Sequence, residues 1–235
     1  MVGIIPVYTC RAVPVATKVR EATMREFLRR NRGIVLIVLG VMTFRTAIAD
    51  WNPVPSSSME PTIYPGDVVW INKTLLGPAL PFTSGRLWAW DQPRRGDVIT
   101  FRAPHVDEVY IKRVIGVPGD RISTDGIRVQ INGETLPLTI IDDGKDSGIL
   151  RAVEFIDGRA HYIQVNQRYV VPQVRKELVV PDGAYFVLGD YRNNSEDSRV
   201  FGFVPETSIL GRATRLALSV AEERNPLTSV GRRVE

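Results

Sequence analysis

Apolar positions along the chain follow two regimes. Gly33–Ala49 reads GIVLIVLGVMTFRTAIA, with Arg45 as its only charge. This predicts a single transmembrane helix over 33–49, slightly shorter than the ~20 residues a spanning helix needs. Arg45 lies near the far end, where a long side chain can snorkel to the headgroups, and Trp51 follows where an interfacial aromatic belongs. A buried core helix or a signal-peptide core gives a similar run. A cleaved signal peptide fits less well, because the run starts only at Gly33. Arg20, Arg25, Arg29, Arg30 and Arg32 crowd the approach and predict a basic cytoplasmic segment over 1–32, with the chain from about Asp50 outside. Within that segment Val19, Met24, Phe27 and Leu28 hint at an amphipathic helix leading into the membrane.

After Pro55 the pattern changes to short strands punctuated by turns. Asp67–Asn72, Asp97–Arg102 and Val109–Ile115 are strand-like, and Ile127–Ile131 runs into the hairpin signal Asn132-Gly133. Val153–Ile156, Asp157-Gly158 and His161–Val165 predict a second hairpin. Leu178–Val180, Pro181-Asp182-Gly183 and Tyr185–Leu188 predict a third turn pair, and Leu210–Leu218 a late strand. No segment here has a helical period. The prediction is a mainly β extracytoplasmic domain, its core formed by 50–121 and 181–220, with a β-rich insertion at 122–180 and a tail at 221–235.

Composition narrows the chemistry. A chain of 235 residues with 24% charged residues is long enough for a real core and is not built for disorder. The net charge of +4 is concentrated before the apolar run, which favours membrane topology over nucleic-acid binding. Cys10 is the only cysteine, so an intrachain disulfide or a thiolate zinc cage is excluded. The two histidines, His105 and His161, lie in no catalytic or metal motif, and neither a metal nor a cofactor is expected.

Ser58 stands in Val54-Pro55-Ser56-Ser57-Ser58-Met59-Glu60-Pro61-Thr62, a serine-rich turn between prolines shortly after the apolar run. Such a turn holds a side-chain oxygen outward, and a serine nucleophile needs a base. His105 sits in a loop and His161 in a hairpin expected to face solvent. A desolvated lysine can serve instead if its pKa falls roughly three units from about 10.4. Lys112 lies in the apolar strand Val109–Ile115, where alternation groups it with Tyr110 and Val114 on one face. An edge-strand lysine that guards against aggregation gives the same pattern. A third cluster, Gly189–Arg199 (GDYRNNSEDSR), follows an apolar strand. It reads either as a solvated loop or as a source of orienting hydrogen bonds, with Gly189 allowing close approach.

In this order and after an apolar segment, these clusters resemble the type I signal peptidases, the bacterial leader peptidases. Pro55–Thr62 resembles the family's P-S-x-S-M-x-P-T box. Gly66-Asp67 and Arg95-Gly96-Asp97-Val98 resemble its GD boxes. Tyr110–Asp120 resembles its lysine box, and Gly189–Arg199 with Gly202 its last box. The likeness covers about 33–218 and is weak over 122–180. It implies a Ser/Lys dyad endopeptidase that removes signal peptides from exported proteins. Ser58 would attack and Lys112 would take the proton. Ser195 would hydrogen-bond Lys112, while Ser56 and the Ser58 N–H would hold the oxyanion. Asp197, with Arg113 or Arg199, would brace the base. Tyr191 and Asn193 depart from the family's Asn and Asp.

The resemblance also implies shallow pockets for small substrate residues one and three positions before the cut, with Val54, Met59, Ile63 and Ile111 as candidates. An extended substrate would pair beside Glu108–Ile111, including Tyr110. Signal peptides, the lipid bilayer and the secretion translocon are the implied partners, nucleic acid is not, and the location is a bacterial cytoplasmic membrane. Trp88 and Trp90, two apart, either dip into the outer leaflet or pack in the core. Competing readings are a self-cleaving Ser/Lys regulator, a specialised pilin or conjugation peptidase, and a catalytically dead membrane-anchored binding protein.

Overall fold

The computed structural model describes residues 26–27, 29–47, 49–73, 91–219 and 231–234. Trp88, Trp90 and Cys10 lie outside these residues. Two units are distinguishable, one through Phe44 and one from Arg45 onward.

The first unit contributes most of a helix of 16 residues, Arg32–Ala47. Its apolar side chains stand exposed, including Ile34, Leu36, Ile37 and Leu39. No helix among the described residues is long and apolar enough to cross a membrane. The predicted helix also overruns its C-terminal end. The chain is already extended at Ala49, and Ala49–Pro53 forms a strand, β1, whose Ala49 is buried. Pairing with the strand Val68–Asn72 accounts for the change, since Ala49 is opposite Asn72 and Trp51 packs on the cross-strand Trp70, ring centroids 6.3 Å apart.

Thirteen further strands follow: β2 (Val68–Asn72), β3 (Val98–Arg102), β4 (Val109–Gly116), β5 (Arg121–Thr124), β6 (Val129–Ile131), β7 (Glu134–Thr135), β8 (Leu138–Asp142), β9 (Ile149–Ile156), β10 (Arg159–Asn166), β11 (Val174–Val179), β12 (Ala184–Leu188), β13 (Val204–Pro205) and β14 (Ile209–Leu218). They make three sheets, ordered β1-β2-β14-β3-β4-β12-β13, β10-β9-β8 and β11-β5-β6-β7. The fold is mainly β, and the two smaller sheets are drawn from residues 121–179. Asn132-Gly133 and Asp157-Gly158 make hairpin turns with positive φ at all four residues, as the turn type requires.

The apolar positions form three clusters. Val54, Met59 and Ile63, from the turn around Ser58, pack with Val69, Ile71, Val98, Ile111, Ala213 and Leu216. Val234 joins them, so the end of the expected tail is part of the core. Ile99, Phe101, Val114, Tyr185 and Val187 form a second cluster under the middle of the large sheet. Ile115, Phe186 and Leu188 pack with Ile122, Val129, Ile131 and Ile156, joining the large sheet to the insertion. Burial of this kind is worth roughly 25 cal/mol per Å² of apolar surface and dominates what holds the sheets together.

Candidate active site

Lys112 lies in β4 opposite Ile99 of β3, next to Arg113, where the pairing with Leu188 of β12 ends, so its side chain leaves from a strand held on both sides up to its neighbour. The expected alternation does not hold along this strand, because Lys112 through Gly116 are all buried. Both faces of β4 are covered here, which rules out the aggregation-guarding role of an exposed edge lysine. Lys112 is 4% exposed. Its Nζ donates to Ser58 Oγ at 2.6 Å and lies 5.4 Å from the Tyr110 ring centroid. Burial pulls the ammonium down to about 8, against the opposing pull of Asp197, Asp190 and Glu196.

The Ser58 turn is anchored from below and from the side. Its apolar residues Met59 and Ile63 are fully buried. The Ser58 carbonyl accepts from Tyr191 N at 3.1 Å, and Asn194 Nδ2 donates to Ser57 Oγ at 2.7 Å. Ser56 Oγ lies 3.3 Å from Ser58 Oγ, within hydrogen-bond reach. Gly189 allows this approach. A Cβ built there would stand 2.6 Å from the Ser58 carbonyl oxygen and would also overlap Ser195 Oγ.

Two carboxylate–guanidinium pairs brace the site. Asp197 accepts from Arg199 Nε at 2.8 Å and Nη2 at 2.7 Å, and from Gly189 N at 3.0 Å. It also caps the short helix Ser198–Phe201. Arg113 pairs instead with Asp190, Nε–Oδ1 2.8 Å and Nη2–Oδ2 2.7 Å, and Thr62 Oγ1 donates to the same carboxylate at 2.5 Å. The choice left open by sequence, Arg113 or Arg199 as partner of Asp197, therefore falls to Arg199. Burial alone would raise the Asp190 pKa, but Arg113 outweighs it and holds this carboxyl below the usual range.

Some expectations are corrected. Ser195 Oγ is buried beside Gly189 without a hydrogen-bond partner, so the bond expected from Ser195 to Lys112 is not formed. Its rotamer, set by packing on Gly189, was not readable from a motif. A cleft of about 270 Å³ opens beside Ser58 and Lys112, lined also by Pro55, Ser56, Glu108, Val109, Tyr110, Ile111, Asn194 and Glu196. Ile111 and Tyr110 thus face it, whereas Val54, Met59 and Ile63 belong to the core cluster and are not among its lining residues. Apolar residues flanking a reactive turn must also anchor it, and here anchoring takes them.

His161 was expected to face solvent. It is 4% exposed, because the insertion folds that face of β10 inward. Its Nε2 lies 3.1 Å from Glu154, which pairs with Arg192 at 2.5 Å. His105 stacks on Phe201, 5.5 Å between centroids, and pairs with Glu196 at 3.0 Å. Sequence reasoning missed Gln164, whose backbone pairs with Asp190 and Arg192 and whose Nε2 donates to Glu60 at 2.9 Å. Nothing local in a strand glutamine marks such a role. No cluster of metal-ligating residues occurs among the described residues.

The chain is similar to known proteins of one family. The model of the family described as signal peptidase, peptidase S26, matches residues 25–217. Signal peptidase I of Pseudomonas aeruginosa is 32% identical over 195 residues, covering 76% of this chain and 68% of that protein. Signal peptidase I of Aquifex aeolicus is 30% identical over 241 residues, covering 84% and 89%. Probable signal peptidase I-2 of a Synechocystis strain is 34% identical over 199 residues, covering 82% and 72%. A crystal structure of a signal peptidase I from Enterococcus faecalis, 30% identical, covers 53% of this chain and 98% of its own, with a TM-score of 0.35. With a buried lysine on a proline-flanked serine and a family match that spans both, the chain belongs to the signal peptidase family, peptidase S26, and is a peptidase.

Proposed function

We propose that the protein is a membrane-anchored serine endopeptidase that cleaves signal peptides from exported preproteins with Ser58 and Lys112. The observation that carries this is the 2.6 Å contact between Lys112 Nζ and Ser58 Oγ in a site where Lys112 is buried. A neutral amine at that distance takes the hydroxyl proton as Oγ attacks the scissile carbonyl. The same group, now an ammonium, returns a proton to the leaving amine. The Ser56 hydroxyl and the Ser58 N–H donate to the developing oxyanion. Asp197, Arg199, Arg113 and Asp190 brace the segments packed around the Ser58 turn and Lys112, and touch no reacting atom. An extended substrate lies beside Glu108–Ile111, where backbone pairing gives affinity without reading sequence.

The Arg32–Ala47 helix supports anchoring. From Gly33 to Met42 its residues are apolar on every side, with Ile34, Leu36 and Ile37 each above 60% exposed. A helix apolar all round needs an apolar surrounding, and the arginines before it place its start on the cytoplasmic side. The catalytic domain then works outside the cytoplasmic membrane, where signal-peptide cleavage sites emerge.

The test is cleavage of an exported preprotein by the purified full chain, beside Ser58→Ala and Lys112→Ala. Both variants should lose at least about 10⁴-fold in kcat while remaining folded. Wild-type turnover by either removes the dyad. Inactivity of the wild type would leave the chain a binding protein.

A further inference from the structure

Gln164 stands in β10, on the insertion, between Ile163 and Val165, and all three are buried. The strand is covered on both faces here, so a polar side chain must find its partner inside the protein. That partner is Glu60, two residues after Ser58, whose carboxylate accepts from Gln164 Nε2 at 2.9 Å. A carboxylate only accepts, which turns the amide nitrogen toward it, and an ionised acceptor makes the hydrogen bond a strong one.

The same residue holds the turn in a second way. Its N–H donates to the Asp190 carbonyl and its carbonyl accepts from Arg192 N, each at 2.9 Å, so it brackets Tyr191. Tyr191 N in turn donates to the Ser58 carbonyl at 3.1 Å. One strand residue of the insertion is therefore tied to the nucleophile turn at two points, to Glu60 directly and to Ser58 through Tyr191. Met59 and Ile63 pack the turn into the core, and Lys112 approaches from β4. Three elements thus meet at Ser58 Oγ, and its 2.6 Å contact with Lys112 Nζ depends on their register.

We propose that Gln164 is a positioning residue of the peptidase, through which the insertion sets the place of Ser58 against Lys112. This rests on the function proposed above. Gln164 is not among the residues that line the cleft, so it acts on the turn and not on the substrate. It keeps the turn where Oγ can give up its proton as it attacks. Orientation of this kind is lost steeply, a displacement of about 1 Å costing on the order of 100-fold in rate. Affinity for an extended substrate comes from pairing beside Glu108–Ile111, elsewhere in the fold, so the effect falls on kcat and spares KM.

The test uses the full chain in detergent with an exported preprotein as substrate, and rates are taken per mole of folded chain. Gln164→Met keeps the length of the side chain and removes its polar atoms. It should lose about tenfold to 100-fold in kcat, with KM within about twofold. The acid limb of its pH profile should keep the wild-type midpoint, because one uncharged residue replaces another. Gln164→Glu sets two carboxylates against each other and should be at least as slow. Adding Glu60→Gln to it exchanges the two ends of the hydrogen bond and should recover at least about tenfold of the loss. Wild-type kcat in Gln164→Met, or no recovery in the exchanged pair, overturns the proposal. If Gln164→Met does not fold, the comparison of Gln164→Glu with the exchanged pair decides. Amide hydrogen exchange reads the same tie without turnover. The Glu60 and Tyr191 N–H groups donate to the Ser57 and Ser58 carbonyls, and both should exchange faster in the folded single variants than in the wild type. Unchanged exchange at both also overturns the proposal. If the wild type leaves the preprotein intact, the proposed function has failed, and exchange alone judges Gln164.

Discussion

At the scale of single residues, the site depends on one amine being kept dry. Lys112 is drawn down to about 8 by burial, so the active neutral form gains with rising pH. Turnover per substrate, kcat/KM, should fall about tenfold per pH unit below that value, read from an initial-rate pH profile. The same shift bears on stability. An unfolded lysine titrates near 10.4, so between roughly 8 and 10.4 the unfolded chain binds a proton that the folded chain does not, and stability rises with pH across that window. Below it the folded state carries the full cost of the buried charge. Lys112→Met should therefore be inactive yet more stable at pH 7, by on the order of 3 kcal/mol, in denaturant titrations. Sequence reasoning reached Ser58 and Lys112 because scarcity of histidine and an apolar strand around a lysine are both printed in the chain. It did not reach the Ser195 rotamer, which packs on Gly189, or the Asp190–Arg113–Thr62 cluster, whose members meet across separations of 51, 77 and 128 residues.

At the scale of elements, the nucleophile turn and the Gly189–Arg199 segment are pressed together so closely that one position tolerates no side chain. Gly189→Ala would push on the Ser58 carbonyl oxygen at 2.6 Å and on Ser195. Displacing a reacting oxygen by a fraction of an ångström to an ångström costs about 100-fold. The variant should lose roughly that factor in kcat, with KM little changed and an unaltered far-UV spectrum. A variant with full activity would mean that the two segments separate freely. The strands that carry the site were legible as short apolar runs bounded by turn residues. The short strands β5, β7, β8 and β13 were not, since two to five residues hold too little pattern. β1 was missed because its first residue, Ala49, reads as the end of an apolar run.

Over the whole molecule, the insertion is tied to the catalytic sheet by buried charge as well as by apolar packing. His161 and Glu154 come from the insertion, Arg192 from the segment after β12, and Arg113 and Asp190 stand near enough to act on His161. Burial first, and then Arg113, lowers the His161 pKa, and Arg192 with His161 holds Glu154 down at about 2 despite its burial. As pH falls through about 6.5, the unfolded histidine takes up a proton that the folded one refuses, so stability is lost on the acid side. His161→Gln should flatten this loss between pH 7 and 5, measured as thermal midpoints at each pH. An unchanged slope would mean that His161 does not report the union of the two parts. Sequence reasoning turned this histidine toward solvent, because a hairpin's inward face depends on what packs against it.

The strand order has a further consequence for how the enzyme is made. β2 and β3 do not pair with each other; both pair with β14, which ends at Leu218. While the chain is being synthesised, the strands on either side of this gap emerge early and wait for a partner about 140 residues from β2 and about 110 from β3. Ser58 and Lys112 are delivered long before the sheet that aligns them can close. The site is therefore incomplete until almost the last of these strands has arrived, and a chain cut short before β14 would carry both residues without the sheet that aligns them.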